Sequence, residues 1–76
     1  MNIAEIAKDI RARRRALEIN QKELSTAAGV GMSTIVNIEL GDNLNPGVAT
    51  VTAILTALER FEHEAGIVRP EDGVGN

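Results

Sequence analysis

Apolar residues recur at helical spacing in four segments of the chain, and each segment predicts one helix. The first segment opens with Asn2 and, three residues later, Glu5, a pattern that caps helix N-termini. Its apolar residues then share one helical face: Ile3, Ile6, Ile10 and Leu17. We expect this helix to end at about Glu18.

The second segment is short and has a start signal and a stop signal. Asn20 with Glu23 three residues later repeats the capping pattern, and Gly29 suits the left-handed residue that ends many helices. Between these signals the apolar residues are Leu24, Ala27 and Ala28. The pattern predicts a helix over Gln21–Ala28.

The third segment, Met32–Leu40, follows a two-residue link and stops at Gly41. At about 100° per residue, Ile35 and Ile38 face one way and Ser33 and Asn37 face the opposite way. Two further residues flank that polar side, Val36 and Thr34, and Met32 lies at the N-terminal tip. Two short helices joined by a glycine-containing turn, the second with a polar outer face, form a helix-turn-helix unit.

The fourth segment is the longest. It follows the turn-forming residues 42–47, and its apolar stripe consists of Val48, Val51, Ile54, Leu55, Leu58 and Phe61. We expect the helix to end near Ala65 and Gly66. Residues 67–76 lack this periodicity.

The length of 76 residues allows one small domain. We expect the folded domain to span residues 1–66 and residues 67–76 to be a tail, either flexible or part of a dimer contact. The chain has no cysteine, no apolar run that could span a membrane and no visible signal peptide, so we expect a cytoplasmic protein.

Charge is distributed unevenly along the chain. Residues 1–40 carry six basic and five acidic side chains, whereas residues 41–76 carry two basic and six acidic ones. The net charge of −3 argues against indiscriminate nucleic-acid binding, but the asymmetry is compatible with DNA binding by one side of the molecule. Phe61 is the only aromatic residue, which excludes a base-stacking platform for single strands.

The chain resembles the lambda-repressor-like helix-turn-helix family of the Cro/CI (XRE) type over about residues 3–58. The matching residues are Ile10, Arg11, Arg14, Gln21, Leu24, Gly29, Val30, Ser33, Thr34, Ile35, Ile38, Glu39, Gly41, Asn45 and Pro46. The resemblance implies an all-α bundle of four to five short helices that binds double-stranded DNA.

The resemblance also implies roles for individual residues. Met32, Ser33 and Asn37 are expected to contact bases, and Val36 adds an apolar group to the same outer face. Gln21 is expected to contact a phosphate. The backbone N–H groups near Gly41, with Asn43 in the following loop, are expected to hold a second phosphate.

The arginines of the first helix fall into two groups. Arg14 lies within the apolar stripe, and Glu39 lies on the inward side of the third helix, so we expect these two to form a partly buried ion pair. Arg11, Arg13 and Arg15 lie off the stripe on a solvated face. We expect at least one of them to contact a phosphate and select Arg13 and Arg15.

No enzyme or metal site is visible in the sequence. His63 is the only histidine and lies between two glutamates, and no serine or threonine has a base at a readable spacing. We expect no cofactor, no metal and no catalytic residue.

From these observations we expect the protein to be a sequence-specific transcriptional repressor. It would bind a two-fold symmetric operator as a homodimer and repress its own promoter. The dimer contact is expected to use Phe61, Ile67 and Val68. The alternative is an antitoxin or anti-regulator whose acidic C-terminal half binds a partner protein such as a toxin. A small enzyme has no residue support.

Overall fold

The computed structural model describes residues 2–43 and 45–67. Within these ranges the chain is all-helical and contains no strand. The helices are α1 (Ile3–Ala16), α2 (Gln21–Ala28), α3 (Met32–Leu40) and α4 (Val48–Glu64). This confirms the predicted fold class, a bundle of short helices.

Helix α1 starts where its cap predicts but ends earlier than expected. The Asn2 side chain accepts a hydrogen bond from the Glu5 backbone N–H at 2.9 Å. At the other end Leu17 is the C-cap, and Glu18 takes a left-handed conformation with φ of 57°. The predicted end at about Glu18 was therefore two residues too long, because a residue with positive φ cannot continue the helix.

Helices α2 and α3 have the bounds that their caps predict. Asn20 and Glu23 form a complete capping box, in which each side chain accepts a hydrogen bond from the other's backbone N–H. Gly29 ends α2 with φ of 72°, and Gly41 ends α3 with φ of 80°. Both angles lie in the left-handed region, which glycine enters without steric cost.

One hydrophobic core holds the four helices together. It consists of Ala7, Ile10, Leu24, Ile35, Ile38, Ile54, Ala57 and Leu58. Every helix contributes at least one of these side chains, and α4 packs against both α1 and α2. Val48 does not join this core, contrary to the predicted stripe, and 83% of its surface is exposed because α4 begins beyond the edge of the core.

None of the described helices is long and apolar enough to cross a membrane. The predicted tail lies outside the described residues except for Ile67.

Candidate nucleic-acid interface

Helix α3 presents two chemically different faces. Ile35 and Ile38 are each only 1% exposed and fix the helix against the core. Ser33 and Asn37 are exposed on the opposite side, and Met32 is 51% exposed at the N-terminal end. The outer surface of α3 therefore combines a hydroxyl, an amide and a thioether. Val36 is half-buried at its edge.

The turn before α3 is held by backbone hydrogen bonds. The N–H of Val30 donates to the carbonyl of Ser25 at 3.0 Å, and the N–H of Gly29 donates to the carbonyl of Thr26 at 3.2 Å. The buried hydroxyl of Ser25 donates to the Lys22 carbonyl at 2.8 Å. These bonds fix the angle at which α3 leaves α2.

A polar network ties α3 to the first two helices. Arg14 Nε and Nη2 donate to the two carboxylate oxygens of Glu39 at 2.7 and 2.9 Å, and Arg14 Nη1 donates to the Ile19 carbonyl at 2.9 Å. The Gln21 amide also donates to Glu39, at 3.3 Å. Only 13% of the Arg14 side chain and 3% of the Glu39 side chain are exposed. Hydrogen bonding to Glu39 raises the pKa of Arg14 against the opposing effect of burial, so the guanidinium stays charged.

Gln21 lies at the first position of α2, with its side chain half-buried beside Glu39. One N–H of its amide is used by the carboxylate, which leaves the second N–H for an external acceptor. Glu39 thus orients the side chain for which a phosphate contact is predicted.

Arg13 does not lie on the solvated face that the sequence predicted. Its Nε and Nη2 donate to the two carboxylate oxygens of Glu62 at 2.8 and 2.7 Å, and its Nη1 donates to Asp9 at 3.2 Å. Only 12% of the side chain is exposed, because α4 packs over this part of α1. Hydrogen bonding to Glu62 raises the pKa of Arg13. Its donors therefore bind carboxylates within the fold, whereas the neighbouring Arg15 is exposed.

Glu62 is a residue that the sequence analysis missed. It is only 6% exposed, although it is charged. A signal existed, because Glu62 lies four residues after Leu58 and eight after Ile54, within the buried stripe of α4. A carboxylate at such a position requires a cationic partner, by the same reasoning that paired Arg14 with Glu39.

The backbone after α3 differs from the expected phosphate clamp. The N–H groups of Gly41, Asp42 and Asn43 donate to carbonyls at the end of α3, those of Ile38 and Asn37. These groups close the helix and are not free for a phosphate. Asn43 Oδ1 accepts a hydrogen bond from the backbone of Asn45, which leaves Asn43 Nδ2 as the donor at this site.

The C-terminal part of α4 borders an apolar groove. Phe61 is half-buried and lines this groove together with Ala27 of α2. Ile67 is 43% exposed just beyond the helix. Val68, the third predicted dimer residue, lies outside the described residues.

The remaining chemistry of the described residues is sparse. Residues 2–43 and 45–67 hold no group of three His, Asp or Glu side chains placed to bind a metal ion. His63 is exposed and lines a shallow cleft with Glu59 and Glu64.

Residues 10–60 match a known protein family. A family model described as helix-turn-helix, of the XRE and lambda-repressor-like type, matches residues 10–60. No curated protein and no solved structure matches the chain at a significant level. The matched residues include all of α2 and α3 and most of the core.

Proposed function

We propose a sequence-specific repressor function for this chain, which belongs to the XRE-type, lambda-repressor-like helix-turn-helix family and is a DNA-binding transcription regulator. The protein binds a two-fold symmetric operator as a homodimer and represses its own promoter. Helix α3 lies in the major groove.

The outer face of α3 is the observation that carries this proposal. Ser33 and Asn37 are exposed on a helix whose opposite side is fully buried, so their side chains project from a rigid support. An amide suits the donor and acceptor pair of adenine, and the apolar side chains of Met32 and Val36 suit the thymine methyl. None of these four residues is used by the hydrophobic core.

Phosphate contacts flank this face in the proposal. Gln21 offers its second amide N–H, Arg15 an exposed guanidinium, and Asn43 its Nδ2 group. These contacts position the protein on DNA without reading the sequence.

We infer a homodimer from the short length of α3. One nine-residue helix contacts few base pairs, and two copies on half-sites about one helical turn apart give a longer recognition sequence. Phe61 and Ile67 are the apolar residues at the end of α4 that the monomer core leaves partly exposed. We assign the dimer contact to them and to Val68.

Two alanine variants test sequence reading against simple attachment to the backbone. Asn37→Ala should weaken binding to the duplex upstream of the protein's own gene by about 1 to 3 kcal/mol and leave an unrelated duplex nearly unaffected. Gln21→Ala should weaken both duplexes by a similar factor, with an unchanged salt dependence because Gln21 is uncharged. Gel shifts at two salt concentrations measure both effects. If Asn37→Ala binds its duplex as the wild type does, α3 is not the reading helix.

A second candidate function is an antitoxin or anti-regulator that binds a partner protein. It is favoured by the acidic second half of the chain and by the apolar groove between α2 and α4. The same gel shifts separate the two, since a wild-type protein that binds no duplex above background would favour this second function.

A further inference from the structure

We propose that the groove between α2 and the end of α4 is a docking site for residues 68–72 of the same chain. In the docked state the apolar side chains of this segment cover Phe61 and Ala27, and its acidic side chains contact Lys22. The segment lies outside the described residues and consists of Val68, Arg69, Pro70, Glu71 and Asp72. Docking concerns the single chain and does not depend on DNA binding.

The groove offers apolar surface that the monomer core does not use. Ala27 and Phe61 line both of the adjoining pockets that make up the groove, and the surface of the larger pocket is mostly apolar. The larger pocket has a volume of about 450 Å³, which at about 30 Å³ per water holds about 15 waters and therefore admits several side chains. Covering this surface with apolar side chains removes it from water, which favours docking.

The chain leaves α4 beside this groove. Gly66 is left-handed with φ of 76°, and its N–H donates to the His63 carbonyl at 3.1 Å. The N–H of Ile67 donates to the Glu62 carbonyl at 2.9 Å. These two bonds form a Schellman motif, in which the residue at the Ile67 position commonly contacts the residue at the Phe61 position. The segment therefore starts next to Phe61.

The segment is long enough to reach the start of α2. Lys22 and Ala27 are five residues apart on this helix, which is about 7.5 Å along its axis. Five extended residues span up to about 16 Å, so the acidic pair, four and five residues after Ile67, can reach Lys22. Because the segment belongs to the same chain, docking proceeds at a high effective concentration and requires only weak contacts.

The order of charges along the segment matches the order of charges along the groove. Glu64 lines the pocket at the α4 end, and Lys22 lines the pocket at the start of α2. Neither side chain forms a hydrogen bond or ion pair with another residue in the ranges 2–43 and 45–67. The segment carries Arg69 first and then Glu71 and Asp72, so each charge meets one of opposite sign.

Two further charges line the groove and are opposite in sign to each other. Arg60 lies in the pocket at the α4 end. Glu23 lies at the start of α2, where its side chain accepts a hydrogen bond from the Asn20 N–H at 3.0 Å and the helix dipole offsets its charge. These two charges leave the net match unchanged.

A docked segment and the proposed dimer contact exclude each other. Docking covers Phe61 and uses Val68 within one chain, whereas the dimer contact requires both side chains for the second copy. Docking therefore lowers the fraction of dimer and regulates assembly of the proposed repressor. This consequence rests on the proposed function, whereas the docking itself does not.

Engineered cysteines test the docked position in the full chain, which has no cysteine of its own. Thr26→Cys with Gly73→Cys places one thiol at the groove and one directly after the acidic pair. In a glutathione buffer this pair should form a disulfide within one chain, with an effective concentration about tenfold above that of the control pair Thr56→Cys with Gly73→Cys. Thr56 is exposed on α4 outside the groove, about 16 Å along the helix from Ile67, and six extended residues span about 20 Å, so an undocked segment would reach both positions.

Charge reversal tests the contact with Lys22. In the groove cysteine variant, Lys22→Glu should lower the effective concentration of the disulfide about two- to fivefold, and adding Glu71→Lys with Asp72→Lys should restore it. Lys8→Glu makes the same charge change on the exposed side of α1 and should have no effect. Lys22 and Thr26 are exposed, so circular dichroism and thermal unfolding should show folded variants.

Sedimentation tests the exclusion between docking and the dimer. The oxidised variant with cysteines at positions 26 and 73 should stay monomeric at concentrations where its reduced form dimerises. An oxidised protein that dimerises as the reduced one does would overturn the exclusion.

The remaining outcomes separate the docking from other occupants of the groove and from the proposed function. Equal effective concentrations for the two cysteine pairs overturn the docking and leave the groove open to a foreign protein. A disulfide that joins two chains places the segment on a second copy and overturns docking within one chain. A wild type that binds no duplex DNA, with the disulfides formed as expected, overturns the proposed function and supports the docking.

Discussion

Two neighbouring arginines on α1 join it to two different helices, α3 and α4. Arg14 forms a two-bond contact with Glu39 of α3, and Arg13 forms one with Glu62 near the end of α4. Consecutive helical residues point about 100° apart, so one turn of α1 can face both α3 and α4. One turn of α1 therefore holds both α3 and α4 by ion pairs.

The two ion pairs differ in what surrounds them. Glu39 also accepts a hydrogen bond from Gln21, and within residues 2–43 and 45–67 the one other acceptor for Arg14 is the Ile19 carbonyl. Arg13, in contrast, has a second carboxylate in Asp9, at 3.2 Å. The Arg14–Glu39 pair thus lies within the predicted DNA interface. In the Arg13–Glu62 pair, Asp9 is a second carboxylate that can still contact Arg13 if Glu62 is removed.

Glu39→Ala should give the largest loss of stability. It strands the charge of Arg14 in a place where only 13% of the side chain is exposed, so the free energy of unfolding should fall by about 3 kcal/mol or more. For a domain of this size, such a loss lowers Tm by more than about 10 °C. Urea titration and thermal unfolding followed by circular dichroism measure both. Glu59→Ala, on the exposed side of α4, is the matched control and should change little.

Glu62→Ala should cost less, about 2 kcal/mol, because Asp9 remains beside Arg13. The same urea titration measures the loss against the Glu59→Ala control. The double variant Asp9→Ala, Glu62→Ala should approach the loss seen for Glu39→Ala, since it removes both carboxylate partners. Equal losses in the two single variants would show that Asp9 does not compensate.

Phe61→Glu should have the smallest effect on the free energy of unfolding. It tests whether the end of α4 forms the proposed dimer contact. Phe61 is half-buried, so its replacement should cost about 1 kcal/mol of monomer stability. If Phe61 forms the proposed dimer contact, sedimentation should show a folded monomer, and operator binding should weaken because each half-site loses its tethered neighbour. A dimer that persists in this variant would place the interface elsewhere.

The sequence predicted the parts of the fold that local chemistry determines. The bounds of α2 and α3 followed from Asn20, Glu23, Gly29 and Gly41, whose side chains or backbone angles act within a few residues. The end of α1 did not, because Glu18 is not a residue type that signals a left-handed stop.

The contacts within the candidate site were harder to predict from the sequence than the helices were. A partner for Arg14 could be expected because both side chains lie on the inward faces of their helices. The partner of Arg13 lies 49 residues away on α4, so it depends on how α4 packs across α1. The occupied N–H groups after Gly41 likewise depend on how the chain turns at the end of α3.

The left-handed conformation of Glu18 lowers the stability of the protein, and a substitution at this position could remove part of that cost. The N–H of Ile19, the next residue, donates to the Arg14 carbonyl, so this corner also places the carbonyl that Arg14 Nη1 contacts. A left-handed conformation costs a residue such as glutamate about 1 to 2 kcal/mol, whereas asparagine adopts it more readily. Glu18→Asn would therefore preserve the corner at a lower energetic cost. The more stable variant could then tolerate destabilising substitutions on the outer face of α3.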